Sequence, residues 1–271
     1  MLKGINKANA GFMVVFSALA LGACGGSSSS SSSNNSATEL KPGVFYMGKK
    51  LSADEELVGE SFISSTGKFV IFLRNESEVD GGLVVEKSFT FGNLQYSSGK
   101  LSSQIEEYKY LNPPEADASW DRLEGSLFGD LKSSKRADLT SSISESSPIT
   151  KGVLYRDDKR SDPNLTINDI YNSFMMTNSG TTTTVTITPD SSDESKGTFV
   201  VNQGDTCNGN GEVSIPDQAI NVFEVTYKVS NCPSSTDENA AQGLRDGDYS
   251  GLGTYDAKAV DSTNNRSTAH L

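Results

Sequence analysis

The amino-acid sequence predicts an all-β protein made of antiparallel barrel or sandwich units. Apolar and polar residues alternate with a period of two in most segments, which is typical of strands with one buried face. Glycine, proline, asparagine and aspartate bound these segments, as they do in hairpins and turns. The N-terminal half contains no sustained 3.6-residue apolar period with helix caps, so we expect strands there.

The first hairpin is predicted around a turn at residues 80–82, which read Asp-Gly-Gly. Residues 67–73 follow a turn-forming Ser-Ser-Thr-Gly sequence, and residues 83–85 follow the glycine pair, so the two segments should pair. Phe89 and Phe91 continue the period of two. Two weaker strand candidates are residues 105–110 and 123–128.

Residues 132–148 are dominated by serine and charged residues and offer few apolar positions to bury. Such composition is typical of a loop between folded units. We therefore place a domain boundary near residue 145. It divides an N-terminal β domain, residues 41–147, from a C-terminal barrel-like domain with a polar tail, residues 148–271.

Strand patterning restarts at residues 152–155 and is clearest at residues 182–188. There, alternate threonines face one side, and a threonine, a valine and an isoleucine face the other; β-branched residues suit a pleated surface. Residues 165–174 are the one segment where we expect a helix or a single turn. The remaining predicted strands are residues 197–201, 211–215 and 221–229.

The N-terminus predicts a removable leader and a tether. Lys3 and Lys7 precede an apolar run at residues 11–21, and about 11 residues are too few to cross a hydrocarbon core that needs about 20. We therefore expect residues 1–23 to be a signal peptide. Residues 24–40 are rich in serine and asparagine with little to bury, so they should form a flexible linker.

The run Leu21-Gly22-Ala23-Cys24 resembles the lipobox of bacterial lipoprotein signal peptides. The resemblance implies that Cys24 carries a diacylglycerol, that cleavage precedes it, and that the new amine receives an acyl chain such as palmitate. It also implies anchoring at the outer membrane, because Gly25 stands where an aspartate favours retention at the inner membrane. An ordinary secretory signal with an incidental cysteine is the alternative, and the side of the membrane stays open.

With Cys24 assigned to lipid, Cys207 and Cys232 remain as an even pair in an exported, disulfide-permissive compartment. We expect these two cysteines to form a disulfide. A metal site is the alternative, although the spacing is not that of paired CxxC motifs and His270 is the only histidine.

The C-terminal half combines a cysteine pair with glycines and turn residues at fixed places. They are Gly204, Cys207, Gly209, Gly211, Ile215, Asp217, residues 221–225, Asn231, Cys232 and residues 247–253. Over about residues 150–255 this pattern is similar to that of a group of Gram-negative lipoproteins of uncharacterised function. The resemblance implies a small antiparallel β-barrel stapled by the two cysteines, and it implies no activity. The polar sequence after Tyr255 departs from the pattern, so a closing strand should be short, displaced or missing.

A short internal sequence similarity suggests a duplication. The run Gly43-Val-Phe45-Tyr46 is similar to Gly152-Val-Leu-Tyr155. Two related β units, one in each half, would explain this similarity.

Charge and composition limit the function. The formal net charge is −12 for the whole chain, and it becomes about −14 without the leader, which carries two lysines and no acids. So acidic a protein is poorly suited to nucleic acid or to anionic lipid headgroups. We expect neither of these partners.

No residue pattern predicts catalysis, a cofactor or a metal, and we expect a protein that is not an enzyme. His270 lies on the polar tail and should be disordered, and Trp120 should serve packing. No nucleophile elbow, P-loop, dinucleotide fingerprint or zinc motif occurs in the sequence. Three acid-rich segments, at residues 54–56, 157–158 and 190–194, could offer oxygens to calcium but lack EF-hand spacing, so we interpret them as solvated loops.

Three functions fit these observations. The first is a non-enzymatic binding module, held at the membrane by its lipid, whose partner is an envelope protein or a host factor. The second is a lipocalin-like carrier of a small apolar ligand, and the third, less favoured, is a carboxylate-dependent hydrolase. An interior void would favour the carrier, and a filled core the binding module. The carrier's predicted inward residues are Phe69, Ile71, Val185, Ile187, Phe223 and Val225.

Overall fold

A computed structural model of the protein describes most of the chain after residue 37. The described residues are 38–51, 54–79, 82–112, 119–143, 150–162, 164–170, 172–178, 181–203, 207–232, 246–261 and 266–270. The predicted leader, Cys24 and most of the predicted linker lie outside these ranges. The end of that linker is corrected, because Leu40 is buried in the first core.

Nine strands form the first sheet, and eight of them close into an antiparallel barrel in the order β4-β3-β2-β1-β9-β8-β7-β6, with β4 paired to β6. Each barrel strand therefore has two neighbours. The all-β prediction is confirmed. The strand bounds are β1 (Gly43–Leu51), β2 (Asp54–Ile63), β3 (Lys68–Val79), β4 (Gly82–Asn93), β5 (Gln95–Ser97), β6 (Lys100–Asn112), β7 (Ser119–Ser133), β8 (Arg136–Ile143) and β9 (Thr150–Arg156).

The short strand β5 continues the line of β4 along β6, after an interruption at Leu94. Ser98 and Gly99 form the tight turn between β5 and β6, with φ angles of 51° and 75°. Two successive positive φ angles are typical of the turns that match the twist of a hairpin. The predicted hairpin of β3 and β4 is also confirmed, since Val79 pairs with Gly82.

The predicted domain boundary at residues 147/148 is wrong. Strand β9 pairs with both β1 and β8, so the barrel continues to Arg156. The serine-rich segment that suggested a linker contains β8. Among the side chains of that strand that the structure describes, Ala137 and Leu139 are the apolar ones in the core, so its apolar signal is short.

The duplication hypothesis is also corrected. Its two similar runs lie on adjacent strands of the same barrel, β1 and β9, where Tyr46 pairs with Tyr155. They are therefore two neighbours in one unit, and they do not mark two related units.

One cluster of buried apolar side chains fills the barrel interior where the side chains are described. Every barrel strand except β4 contributes to it, and Leu94 after β4 and Leu40 before β1 complete it. Alternation along each strand places these residues inward. The cluster comprises Leu40, Phe45, Met47, Ile63, Phe69, Ile71, Leu94, Leu101, Ile105, Leu127, Ala137, Leu139 and Leu154.

The second sheet is an antiparallel meander in which seven strands follow each other in chain order. Its strongest predicted strand is confirmed as β11, in which Val185 and Ile187 are buried and Thr188 is exposed. The strand bounds are β10 (Asn172–Asn178), β11 (Thr181–Pro189), β12 (Lys196–Gln203), β13 (Cys207–Ser214), β14 (Phe223–Ser230), β15 (Gly247–Asp261) and β16 (Arg266–His270).

Two helical turns connect the barrel to the second sheet, α1 (Asp158–Ser161) and α2 (Ile167–Ile170). The predicted helix or turn at residues 165–174 is thus confirmed in its first part, and β10 occupies the rest. Ile167 and Ile170 are buried against one face of the second sheet, where they complete its core.

The polar tail also folds into strands. The closing strand was expected to be short, displaced or missing; β15 runs past Tyr255, and a short strand of five residues, β16, pairs with it at the edge of the sheet. His270 lies in β16, which corrects the expectation that it is disordered. In the described part of the chain, β16 does not pair with β10, and the second sheet stays open.

The two sheets pack together through apolar side chains on the outer face of the barrel. Val70 of β3 meets Ile220, Val222 and Leu252 of the second unit. Phe62 and Phe91, on the neighbouring barrel strands β2 and β4, pack against this cluster. Burial of these side chains stabilises the junction through the hydrophobic effect.

Polar contacts surround this apolar junction. The Arg160 guanidinium donates to Glu60 of β2 at 2.6 Å. The Asn221 amide donates to the backbone carbonyls of Arg160 and Tyr255, both at 2.7 Å. Across the described residues, no helix is long and apolar enough to span a bilayer.

Candidate functional site

The outer face of the barrel exposes the aromatic side chain of Phe128 to solvent. Of the side chains that the structure describes, Phe128 is the one large apolar group that is mostly exposed, at 52%. It lies on β7, where its neighbour Leu127 points into the core. Successive residues of a strand point to opposite faces, so Phe128 must point outward.

Small neighbours leave the ring uncovered. Across the strands, Phe128 pairs with Ser102 of β6 and with Thr140 of β8. Directly opposed side chains on a sheet usually cover one another, and neither of these two is long enough to cover a phenyl ring.

The exposed ring borders a shallow, open depression of about 570 Å³. The tight turn of β5 and β6 forms one wall, and Gly129 forms part of the floor. A side chain at Gly129 would collide with Leu101 and Leu139, which explains the glycine. The lining residues are Ser97, Ser98, Lys100, Leu101, Ser102, Phe128, Gly129, Asp130, Asp138 and Thr140.

Charges of both signs surround the depression. Asp130 of β7 pairs in register with Asp138 of β8, which sets two acids opposite each other. Cations offset them: Lys100 lies 3.5 Å from Asp130, and Lys132 lies 3.6 Å from Asp138. Lys100 and Asp130 are largely exposed, so their charges are available to a partner at little desolvation cost.

Calcium was the alternative to solvated loops for three acid-rich segments, and in two of them the structure shows aspartates that bond to neighbouring protein groups. Asp157 caps α1 by accepting from the backbone of Lys159 and Arg160, and it accepts from the Tyr46 hydroxyl at 2.7 Å. Asp158 contacts Lys135 and Arg156, and hydrogen bonds from these two cations hold its pKa below the usual range.

Asp190 and Asp193 each accept hydrogen bonds from the serine two residues later in the same turn. They accept from the hydroxyls and backbone amides of Ser192 and Ser195, and these hydrogen bonds lower the pKa of each aspartate. The side chains of residues 54–56 lie outside the described set. Within the described set, no group of three metal-ligating side chains converges.

Cys207 and Cys232 form a disulfide, as predicted. It joins the first residue of β13 to the second residue after β14, beside the pair of Asn208 and Ser230. The bond therefore fastens together two neighbouring strands in the interior of the second sheet. The metal alternative for these cysteines is wrong.

The residues expected to line a ligand cavity are divided between two packed cores. Phe69 and Ile71 belong to the barrel core, whereas Val185, Ile187, Phe223 and Val225 belong to the core of the second sheet. All six are buried among other apolar side chains. The side chain of Trp120, on β7, lies outside the described set.

Phe128 was not among the site residues expected from the sequence, although its segment, residues 123–128, was predicted as a weak strand. Leu127 and Phe128 are adjacent apolar residues, and a strand with one buried face can bury only one of two neighbours.

No protein-family model matches the chain, and no curated protein matches it. Among solved structures, the chain is similar to Aeromonas veronii immune modulator A, with a TM-score of 0.44 and 13% sequence identity. The match covers 82% of this chain and 88% of that one.

Proposed function

We propose that this protein is a non-enzymatic binding module, anchored to the outer membrane through a lipid on Cys24, that docks a partner protein around Phe128. The observation that carries the proposal is the exposure of Phe128, at 52%, in the middle of a polar barrel face. A phenyl ring left in water is costly, and burying it against a partner recovers that free energy.

The surroundings of Phe128 suit a protein interface better than a small-molecule site. Small-molecule pockets enclose most of their ligand, whereas this depression is shallow and open. Protein interfaces place an aromatic anchor at the centre and a polar rim around it. Ser102 and Thr140 flank the ring, and Lys100, Asp130 and Asp138 supply the rim.

The partner should complement this arrangement. It needs an apolar pocket that receives the Phe128 ring, with charges of both signs placed to meet Lys100 and Asp130. An envelope protein or a host factor could supply such a surface. The packed barrel core supports a binding module rather than a carrier of an apolar ligand, because the described interior positions are occupied by side chains.

The proposed anchor places the depression near the membrane. Residues 25–37 separate Cys24 from the first described residue, Thr38, and from their serine-rich composition we expect a flexible tether. A tether of this kind lets the barrel sample orientations while the lipid holds it in the envelope.

Proximity capture from intact cells tests the proposal. The full chain is compared with Phe128→Ser and with Glu212→Ala, which removes an exposed side chain from β13 of the second sheet. We expect Phe128→Ser to lower capture of one specific partner and Glu212→Ala to leave it unchanged. Equal capture by all three chains contradicts docking at Phe128. Protease shaving of the cells beforehand tells an external partner from a periplasmic one.

A further inference from the structure

The two ends of the second sheet differ in how they are protected. Strands β10 and β16 are its end strands, and in the described part of the chain each pairs with one neighbour only. An end strand has a row of backbone N–H and C=O groups that can pair with another strand. Natural proteins protect such rows with charges, prolines, bulges or short strands.

Strand β10 carries none of these protections. Its seven residues read Asn-Ser-Phe-Met-Met-Thr-Asn, without a charge or a proline. Its ladder with β11 is continuous from Asn172 opposite Ile187 to Asn178 opposite Thr181, without a bulge. Strand β10 is therefore a regular, uncharged template for a further strand.

Strand β16, at the other end, is protected. It has five residues and contains Arg266 and His270. Its ladder with β15 is interrupted between Asp256 and Asp261. Of the two end strands described, β10 is therefore the one less protected against pairing.

We propose that β10 pairs antiparallel with β10 of a second copy of this protein, so that two second sheets become one continuous sheet. The strand is self-complementary in this arrangement. With Met175 on the two-fold axis, Asn172 lies opposite Asn178 of the partner copy, and Phe174 lies opposite Met176. No like charges face each other, and both copies use the same surface, as a symmetric dimer requires.

The pairing is independent of the docking site on the barrel. Phe128 lies on β7 of the first unit, whereas the proposed dimer uses only the end strand of the second sheet. One protein could therefore dock a partner and dimerise at the same time. Confinement to one membrane by the proposed lipid would raise the effective concentration of the second copy.

Cysteine cross-linking in cells tests the dimer. The full chain carrying Met175→Cys should give a disulfide-linked dimer on a non-reducing gel, because the axis brings the two copies of this residue together. The chain carrying Thr188→Cys, an exposed position on β11, should not. The native chain, with Cys24, Cys207 and Cys232, supplies the baseline.

A pair of charge variants tests the register in the Met175→Cys chain. Asn172→Lys with Asn178→Lys puts lysine opposite lysine at both ends, and we expect roughly fivefold less cross-linked dimer. Asn172→Asp with Asn178→Lys puts opposite charges together and should keep the parent yield. Within the chain, both variants face the uncharged Ile187 and Thr181, so effects on folding should be similar.

Three results would overturn the dimer. The first is a Met175→Cys chain that stays monomeric at the native baseline, and the second is equal cross-linking of the two charge variants. The third concerns closure of the sheet within one chain. A cross-link between β10 and β16 within one chain, detected by mass spectrometry of a Met175→Cys, Thr268→Cys double variant, would show that the sheet closes on itself instead.

Discussion

The Ser64 hydroxyl of the barrel donates a hydrogen bond of 2.5 Å to the Glu224 carboxylate of the second sheet, across 160 residues of sequence. The Thr66 hydroxyl donates to the same carboxylate oxygen at 2.5 Å, and the Lys68 ammonium donates to the other at 2.6 Å. Glu224 is buried, and the barrel supplies all three of these donors. This carboxylate therefore joins the two units directly beside their apolar junction.

Removing this carboxylate should weaken the protein. Glu224→Ala leaves three donors without their acceptor, and a buried charged hydrogen-bond network of this kind is worth about 2 to 3 kcal/mol. Urea unfolding at neutral pH measures the loss. Glu212→Ala, on the exposed face of β13, should change the free energy of unfolding by less than about 0.5 kcal/mol. Equal effects of the two substitutions would contradict a junction held by Glu224.

Acid should destabilise the network around Arg156. The Arg156 side chain is fully buried and donates to Asp162 at 2.5 Å. That hydrogen bond, with a further one from Lys41, lowers the pKa of Asp162 to about 2 from an ordinary value of 3.8. A lowered pKa means that the unfolded chain binds the proton more readily, so this contribution is present above pH 3.8 and is lost as pH falls towards 2.

Stability measured as a function of pH checks this expectation. The free energy of unfolding of Asp162→Asn should depend less on pH than that of the native chain in this acidic window. Glu194→Gln, an exposed loop substitution, should leave the native slope unchanged. An Asp162→Asn chain with the native slope would show that the contact with Arg156 is not maintained in solution.

The disulfide should stabilise the second sheet. Cys207 and Cys232 are 25 residues apart, and closing a loop of that length in the unfolded chain is worth about 3.5 kcal/mol. The Cys207→Ser, Cys232→Ser double variant should therefore unfold at lower urea than the native chain, and reductant should shift only the native chain. If the native chain has the same urea midpoint with and without reductant, this prediction is wrong.

Lipidation of Cys24 is testable by labelling. Cells fed labelled palmitate should label the native chain, and Cys24→Ser should abolish the label and release the protein from the membrane fraction. Cys232→Ser serves as the control that keeps the label. Labelling that persists in Cys24→Ser would contradict the lipobox interpretation.

The elements that could be predicted are those with a long alternating pattern. In β11, buried Val185 and Ile187 alternate with threonines, so sequence alone identifies both the strand and its buried face. Strand β8 was missed because serine and charged residues dominate its sequence, and Ala137 and Leu139 are the apolar side chains described on its inner face. Strand β9 was recognised but assigned to the wrong unit, since its pairing with β1 spans more than 100 residues and leaves no local signal.

The inter-unit contact of Glu224 and the exposed surface around Phe128 depend even more than the strands do on contacts between residues that are distant in sequence. Nothing near Glu224 in the sequence indicates that Ser64 and Lys68 will surround it. The exposure of Phe128 depends on Ser102 and Thr140, which reach its two sides only when β6, β7 and β8 pair. Local patterning identifies which residues form strands, and the register between distant strands decides which surface can bind.

The most direct test of the docking proposal is photo-cross-linking in intact cells, with a benzophenone amino acid replacing Phe128. The control carries the same amino acid at Thr198, an exposed position on β12 of the second sheet. We expect a discrete cross-linked protein from position 128 and none from position 198. Substituting Asp130→Lys in the same chain should lower the yield by changing the rim. Equal cross-linking from both positions, or none from position 128, would contradict partner docking at the exposed ring.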